Sequence, residues 1–252
     1  MRFKEFLLAE EEAARYKKSI PARDVEKMLN EHCKDAMKLF HRPIWRGMTS
    51  GSDAMIIHGE AGGRTSANTS NYYTVIMDKF LPYFGYPKRS KSIICANNEN
   101  KDYTRGFGAR YAIFPYDDVS IGVCQSYDLW ETPSFKIGKC PDKRSIESWN
   151  SFYRRNGLSP DSWEEFKDSL EEKMQGDSEE SHNLLEWFGP IEKISSVFEQ
   201  AYSPENLGLE LTNSANIDKI RGSHELWIGG PCIAISQDVW DEMMIEMGLA
   251  QK

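Results

Sequence analysis

Three short segments of this chain combine residue types that can bind phosphate, orient a carboxylate or stabilise a developing cation. Trp45-Arg46-Gly47 sets a guanidinium beside a residue without a side chain. A planar fork there can meet an anion bidentately where the backbone also approaches closely. Ser90-Lys91-Ser92 opens the run Ile93-Ile94-Cys95. Alternate residues of a strand share a face, so its two hydroxyls would point the same way, to hold a ligand or orient a carboxylate. In Ser223-His224-Glu225-Leu226-Trp227-Ile228 a carboxylate leads an otherwise apolar strand, and ionised Glu is costly to bury unless it is paired. Each segment also has a plainer reading. Arg46 can be a surface ion pair, the serines turn residues after Pro87, and Glu225 a solvent-facing strand edge.

Other chemistries lack their residues. There is no H-E-x-x-H and no G-x-S-x-G, so zinc-protease and α/β-hydrolase readings have no support. The run from Gly59 has Arg64 and Thr65 where a phosphate loop needs Gly and Lys, and Tyr111 stands where a dinucleotide fingerprint would place a third glycine after Gly106 and Gly108. The five cysteines (Cys33, Cys95, Cys124, Cys140 and Cys232) form no C-x-x-C pair. That argues against a disulfide framework and a structural zinc site, and for a reducing compartment. No metal is expected.

The elements that must position these residues follow from periodicity. Residues 1–42 read as helices: Phe3, Phe6, Leu7, Ala13 and Ala14 on one face, then Val25, Met28, Leu29, Cys33, Met37 and Phe40 at three- and four-residue spacing, stopped by Pro43. A short strand over 43–48 precedes a Gly/Ser/Thr-rich loop to residue 70, and 71–84 reads as a helix. Strands are expected over 92–96, 109–114 and 119–124, then helices over 145–152, 162–174 and 181–202. Strand character returns at 225–228 and 232–235, and Ser236 can cap a last helix whose Trp240, Met243, Met244 and Met247 share a face. The pattern is α+β, a mixed sheet rather than parallel βαβ alternation. It divides one 252-residue domain into N-terminal helices (1–42), the first part of a β core (43–140), an acidic helical insertion (141–204) and the rest of the core with a C-terminal helix (205–252).

Charge and hydropathy narrow the partners. The net charge of −8 argues against wholesale nucleic-acid binding, and it is concentrated. Residues 161–210 hold 14 acidic against 3 basic side chains, leaving a nearly neutral remainder. Lys88, Arg89, Lys91, Lys101, Arg105 and Arg110 form a local basic cluster. It suits phosphates, an acidic protein or nucleic acid, or simply makes a solvated edge. No apolar run approaches the roughly 20 residues of a membrane span. The N-terminus meets acidic residues too early for a signal peptide, so a cytoplasmic protein is expected.

In this order, the aromatic-Arg-Gly strand, the Ser-x-Ser strand and the Glu-led apolar strand followed by Gly229-Gly230-Pro231 resemble the ADP-ribosyltransferase family of the Arg–Ser–Glu type. The resemblance covers residues 43–130 and 205–240. Lys91 stands in place of the Thr of the family's S-T-S motif, and Lys88 in place of the Phe before it. Ser223 replaces the Glu or Gln that precedes the catalytic Glu and helps select the acceptor. The opening residues, Met1 to Glu12, also resemble the starts of proteins from large tailed bacteriophages, which implies host cytoplasm or virion.

The resemblance implies an ADP-ribosyltransferase-like sheet core, NAD as substrate and a macromolecular acceptor, a protein rather than nucleic acid. Glu225 would be the catalytic carboxylate, and Arg46, with Gly47, would bind the NAD phosphates. Ser90 and Ser92 would hold Glu225 and the ribose, Phe107 or Tyr111 would stack on nicotinamide, and residues 211–222 would form a mobile acceptor-recognising loop. Two alternatives remain open at this level. One is NAD hydrolysis at the same site. The other is a non-enzymatic protein that docks a basic partner through Trp163, Phe166, Trp187 and Phe198 of the acidic segment.

Overall fold

The computed structural model describes residues 17–59, 70–97, 102, 104, 106–132, 134–222 and 224–249. The expected helical face of Phe3 to Ala14 lies outside these residues, as do Ser223, Lys101, Arg105 and most of the glycine-rich run after Gly59. Two units divide the chain: Met1–Arg64, Lys91–Tyr127 and Glu210–Lys252 form one, and Thr65–Ser90 and Asp128–Leu209 the other. The helical unit thus takes in 65–90 and begins at Asp128, a wider span than the insertion expected over 141–204.

In the first unit, nine strands among the described residues build one antiparallel sheet. They are β1 Lys17–Ser19, β2 Ile44–Met48, β3 Ala54–His58, β4 Ile93–Ala96, β5 Ala109–Pro115, β6 Ser120–Val123, β7 Glu210–Asn213, β8 Glu225–Ile228 and β9 Pro231–Ser236. Their order is β1-β3-β9-β5-β2-β4-β8-β6-β7. The α-helices are α1 Ala22–His32, α2 Tyr72–Phe80, α3 Ile146–Arg155, α4 Trp163–Met174, α5 Glu179–Phe188, α6 Ile194–Ala201, α7 Pro204–Leu207 and α8 Gln237–Glu246. The architecture is α+β.

Side-chain alternation gives the sheet two apolar faces. On one, Ile44 and Met48 of β2 cluster with Ile93, Cys95, Leu226 and Ile228. On the other, Trp45, Ala112, Phe114, Ile233 and Ile235 pack with Val25 and Leu29 of α1 and Met244 of α8. Val25 and Leu29 are one helical turn apart, so a single stripe of α1 covers the sheet. Burying each such side chain contributes about 1.5–3 kcal/mol.

The structure corrects several sequence expectations. Residues 48–70 are not all loop, because Ala54–His58 pairs with both β1 and β9. Flanking Gly51, Ser52 and Asp53 mask this five-residue run from a periodicity reading. Residues 211–222 are not an irregular mobile loop either. They begin in β7, paired along β6, and continue in a 3₁₀ turn, Ser214–Lys219, that buries Ile217. The helix expected over 181–202 is two helices, parted at Gly189 with φ +76° and followed by Pro190. Ser236 precedes α8 without a side-chain capping bond, and Met247 is exposed.

The second unit is held by aromatic packing. Ser145, Ser162 and Ser178 each accept a hydrogen bond from the backbone N–H three residues on, opening α3, α4 and α5. Trp149, Tyr153, Phe166, Phe198 and Tyr202 are buried. The Tyr153 and Tyr202 hydroxyls bond each other at 3.1 Å, which satisfies two polar groups that burial would otherwise penalise.

Candidate functional site

The sheet order brings β2, β4 and β8 side by side, so strands far apart in the chain become neighbours. β4 runs along β8 over four residue pairs, Ile93–Ile228 to Ala96–Glu225. Its register with β2 holds one pair, Trp45–Ala96. The Asn97 N–H donates to the His224 carbonyl at 3.3 Å. Odd-numbered residues of β4 therefore turn their backbone groups towards β8, and even-numbered ones towards β2. The Ile94 carbonyl faces β2 where the two strands part, and Arg46 Nη1 donates to it at 2.6 Å. The guanidinium so fills a gap in the ladder and satisfies an acceptor that the sheet leaves over.

Glu225 opens β8 and is 5% exposed. Its Oε1 accepts a hydrogen bond from the Trp227 indole N–H at 2.6 Å, a short charge-assisted contact. The backbone is equally fixed, because Glu225 N donates to Ser126 O at 3.0 Å and Cys124 N donates to Glu225 O at 2.9 Å. Glu225 and Trp227 alternate with the clustered Leu226 and Ile228, whereas Arg46 shares parity with Ile44 and Met48. The two functional candidates therefore leave opposite faces of the sheet. The Ile94 whose carbonyl Arg46 meets stands opposite Trp227 in register.

The two serines are elsewhere. Ser92 precedes β4, four residues before Ala96, the register partner of Glu225. At about 3.3 Å per residue that is roughly 13 Å, beyond reach of the carboxylate. Ser92 instead backs onto Gly59, where any Cβ would press on Lys91 O and come within 2.9 Å of Ile93 N. Ser90 belongs to the helical unit, and its N–H donates to the Asp78 carboxylate at 3.1 Å. Tyr111 is buried in the sheet cluster, its hydroxyl donating to Ser50 O and Ser52 O at 3.0 Å each, so it offers no face for stacking. Phe107 is half-exposed and lies over Gly47, where a Cβ would meet Thr104 O and approach Phe107 Cβ to 2.8 Å. Gly47 is thus required for close packing.

Two residues that the sequence reading passed over fix the backbone where it enters β8. The buried Asn97 accepts from His224 N–H through Oδ1 at 3.1 Å and donates through Nδ2 to Gly222 O. The His224 ring sets Nδ1 2.6 Å from Cys124 O and Nε2 against Arg221 O. Position was the only available signal: a polar residue ending one apolar strand, and another starting a second. Beside them is a small cleft of about 20 Å³, with Arg42, Asn97 and Arg221 around Ile44, Ile217 and Leu226, room for about one water molecule.

All five cysteines are free and buried. Burial, with the Asp117 charge second, pushes the Cys33 thiol up to about 12, and burial raises Cys232 well above the usual thiol range. Neither is poised as a nucleophile. Among the described residues, no three of His, Cys, Asp and Glu gather into a group able to hold a metal ion, and no helix is long and apolar enough to cross a membrane. Of the basic cluster, Arg89 is buried over the Tyr73 ring, and Arg110 lies 3.7 Å from Asp102. Comparison with protein-family models, with curated proteins and with solved structures returned no match.

Proposed function

We propose that this chain transfers ADP-ribose from NAD to a macromolecular acceptor on an ADP-ribosyltransferase-like sheet core, with Glu225 as the catalytic carboxylate. The observation that carries the reading is the adjacency β2-β4-β8. The strands that carry Arg46 and Glu225, from distant parts of the chain, flank the strand that follows the Ser-x-Ser segment. The buried, hydrogen-bonded state of Glu225 adds to it. A carboxylate held by an indole inside a sheet is costly unless its charge is used or compensated.

The chemistry follows from charge development. As the N-glycosidic bond of NAD breaks, nicotinamide leaves with the bonding electron pair, and the ribose becomes oxocarbenium-like. A fixed carboxylate beside it stabilises the cation more than the ground state. The acceptor nucleophile then bonds to C1′ and releases its proton to solvent. Trp227 keeps one carboxylate oxygen in place, so little reorganisation is needed as charge appears. Arg46 would meet the pyrophosphate at the β2–β4 gap by exchanging its backbone carbonyl for phosphate oxygens, with Arg42 and Arg221 as further cations. The serines do not carry the positioning of Glu225 in this reading.

The test is transfer itself. NAD labelled in its adenylate half is incubated with the protein and host-cell lysate. Label should appear on a lysate protein with wild type and be absent with Glu225→Gln. Nicotinamide release without any labelled acceptor would instead make the chain an NAD glycohydrolase. A non-enzymatic docking role is favoured by one observation, a groove of about 410 Å³ in the helical unit where Phe152 and Trp187 lie beside Glu179 and Glu180. Trp163, Phe166 and Phe198 are buried inside that unit, so docking of a basic partner would fall on Trp187 and be lost in Trp187→Ala.

A further inference from the structure

We infer that Asn97 is the positioning residue for Glu225, latching the turn before β8 onto the end of β4. The inference rests on the transferase reading for its catalytic meaning, but its geometry is independent of it.

Three bonds tie Asn97 to this turn: its N–H to the His224 carbonyl, its Oδ1 from the His224 N–H, and its Nδ2 to the Gly222 carbonyl. The first continues the β4–β8 ladder one pair past Ala96–Glu225. The other two are side-chain bonds that no ladder supplies, and they reach across to a backbone that is leaving the sheet. Gly222 has φ +93°, a left-handed conformation that favours glycine, and its carbonyl accepts from the Asn97 amide. An amide is suited to this because it offers a donor and an acceptor at once; serine or threonine would offer both only through one oxygen on a shorter stem. Asn97 is 6% exposed.

The consequence falls on Glu225. Its neighbour His224 is gripped on the backbone by Asn97, and its ring lies between the carbonyls of Cys124 and Arg221, to one of which its N–H donates. With Glu225 N also bonded to Ser126 O, the carboxylate enters β8 from a fixed point. Without the latch Gly222 and His224 lose their side-chain ties to β4, and a displacement of about 1 Å at a reacting centre costs about a hundredfold in rate.

The experiment compares wild type, Asn97→Ala and Asn97→Asp by amide hydrogen exchange over residues 219–228 and by kcat and KM for nicotinamide release. Asn97→Asp keeps the acceptor for His224 N–H and loses the donor to Gly222 O. The latch predicts faster exchange at 222–226 in Asn97→Ala while β3, β5 and β9 keep their protection. It also predicts kcat lower by about a hundredfold with KM for NAD within about threefold, and Asn97→Asp between the two. Exchange at 222–226 equal to wild type, or faster exchange with kcat unchanged, overturns the inference. A wild-type protein that releases no nicotinamide overturns the transferase reading; the exchange data then decide alone whether Asn97 fixes residue 225.

Discussion

The indole N–H of Trp227 donates to the Glu225 carboxylate at 2.6 Å, from two residues further along the same strand, with both side chains buried. Neighbours i and i+2 share a face of β8, so this contact is built into the strand and does not depend on a distant element. Trp227→Phe keeps an aromatic ring and removes the donor. Stability should fall by about 1–3 kcal/mol, the cost of taking a partner from a buried polar group. Urea denaturation followed by far-UV circular dichroism measures it, and an unchanged midpoint would show that the indole is not what holds the carboxylate.

Arg46 has a structural and a proposed catalytic duty, and they can be separated. Arg46→Met keeps much of the stem and loses the bond to the Ile94 carbonyl, so unfolding should become easier by about 1.5–3 kcal/mol. Arg46→Lys retains a charge without the planar fork. It should recover part of that stability yet raise KM for NAD about tenfold or more. Equal KM for the Lys variant and wild type would remove Arg46 from phosphate binding.

Gly47→Ala should destabilise the sheet by about 1–3 kcal/mol through overpacking. Its Cβ would press on the Thr104 carbonyl and on Phe107 Cβ, and backbone cannot swing aside as a flexible side chain can. Differential scanning calorimetry should show a lower midpoint for this variant. Gly51→Ala, with nothing within 4 Å of the new methyl, is the comparison expected to melt close to wild type.

The helical unit should fail in alkali rather than acid where its tyrosines are concerned. Burial holds Tyr153 well above the usual tyrosine range and raises Tyr202 as well. A phenol with a higher pKa folded than unfolded keeps its proton more tightly in the native state. Its contribution is complete below an unfolded value of about 10 and is lost as pH rises above that. Titration at 295 nm should show these two phenols ionising only as the unit unfolds, and Tyr202→Phe should change that profile. Their ionisation in the native protein along with exposed tyrosines would contradict the buried pair.

Much of the sheet was legible because its strands are apolar runs bounded by Gly, Pro and Asp. β4, β5, β6, β8 and β9 fall within a residue or two of where alternation and turn residues put them. β3 was hidden by its Gly-Ser-Asp flank, and β7 by polar residues, since an edge strand leaves one side to solvent and Glu210 and Leu211 are exposed. The candidate site was legible in part. Arg46 and Glu225 stand out as charges within apolar strands, and β2 and β8 do flank β4. Ser92 was misleading because hydroxyl spacing says nothing of register, and a strand's pairing partner decides which end of β4 meets Glu225. Asn97 was invisible for the same reason: its role comes from facing Gly222 and His224 across the sheet, which no local pattern records.

Glu225 is proposed to stabilise the cation formed when NAD loses nicotinamide. The direct measurement is the rate of nicotinamide release from NAD by wild type and by Glu225→Gln, with and without lysate. Gln keeps the shape and can still accept from Trp227, but it lacks the charge. Release by wild type and a loss of at least about a hundredfold in the variant are expected. Equal rates for the two proteins, or no release by wild type under either condition, would contradict the proposal.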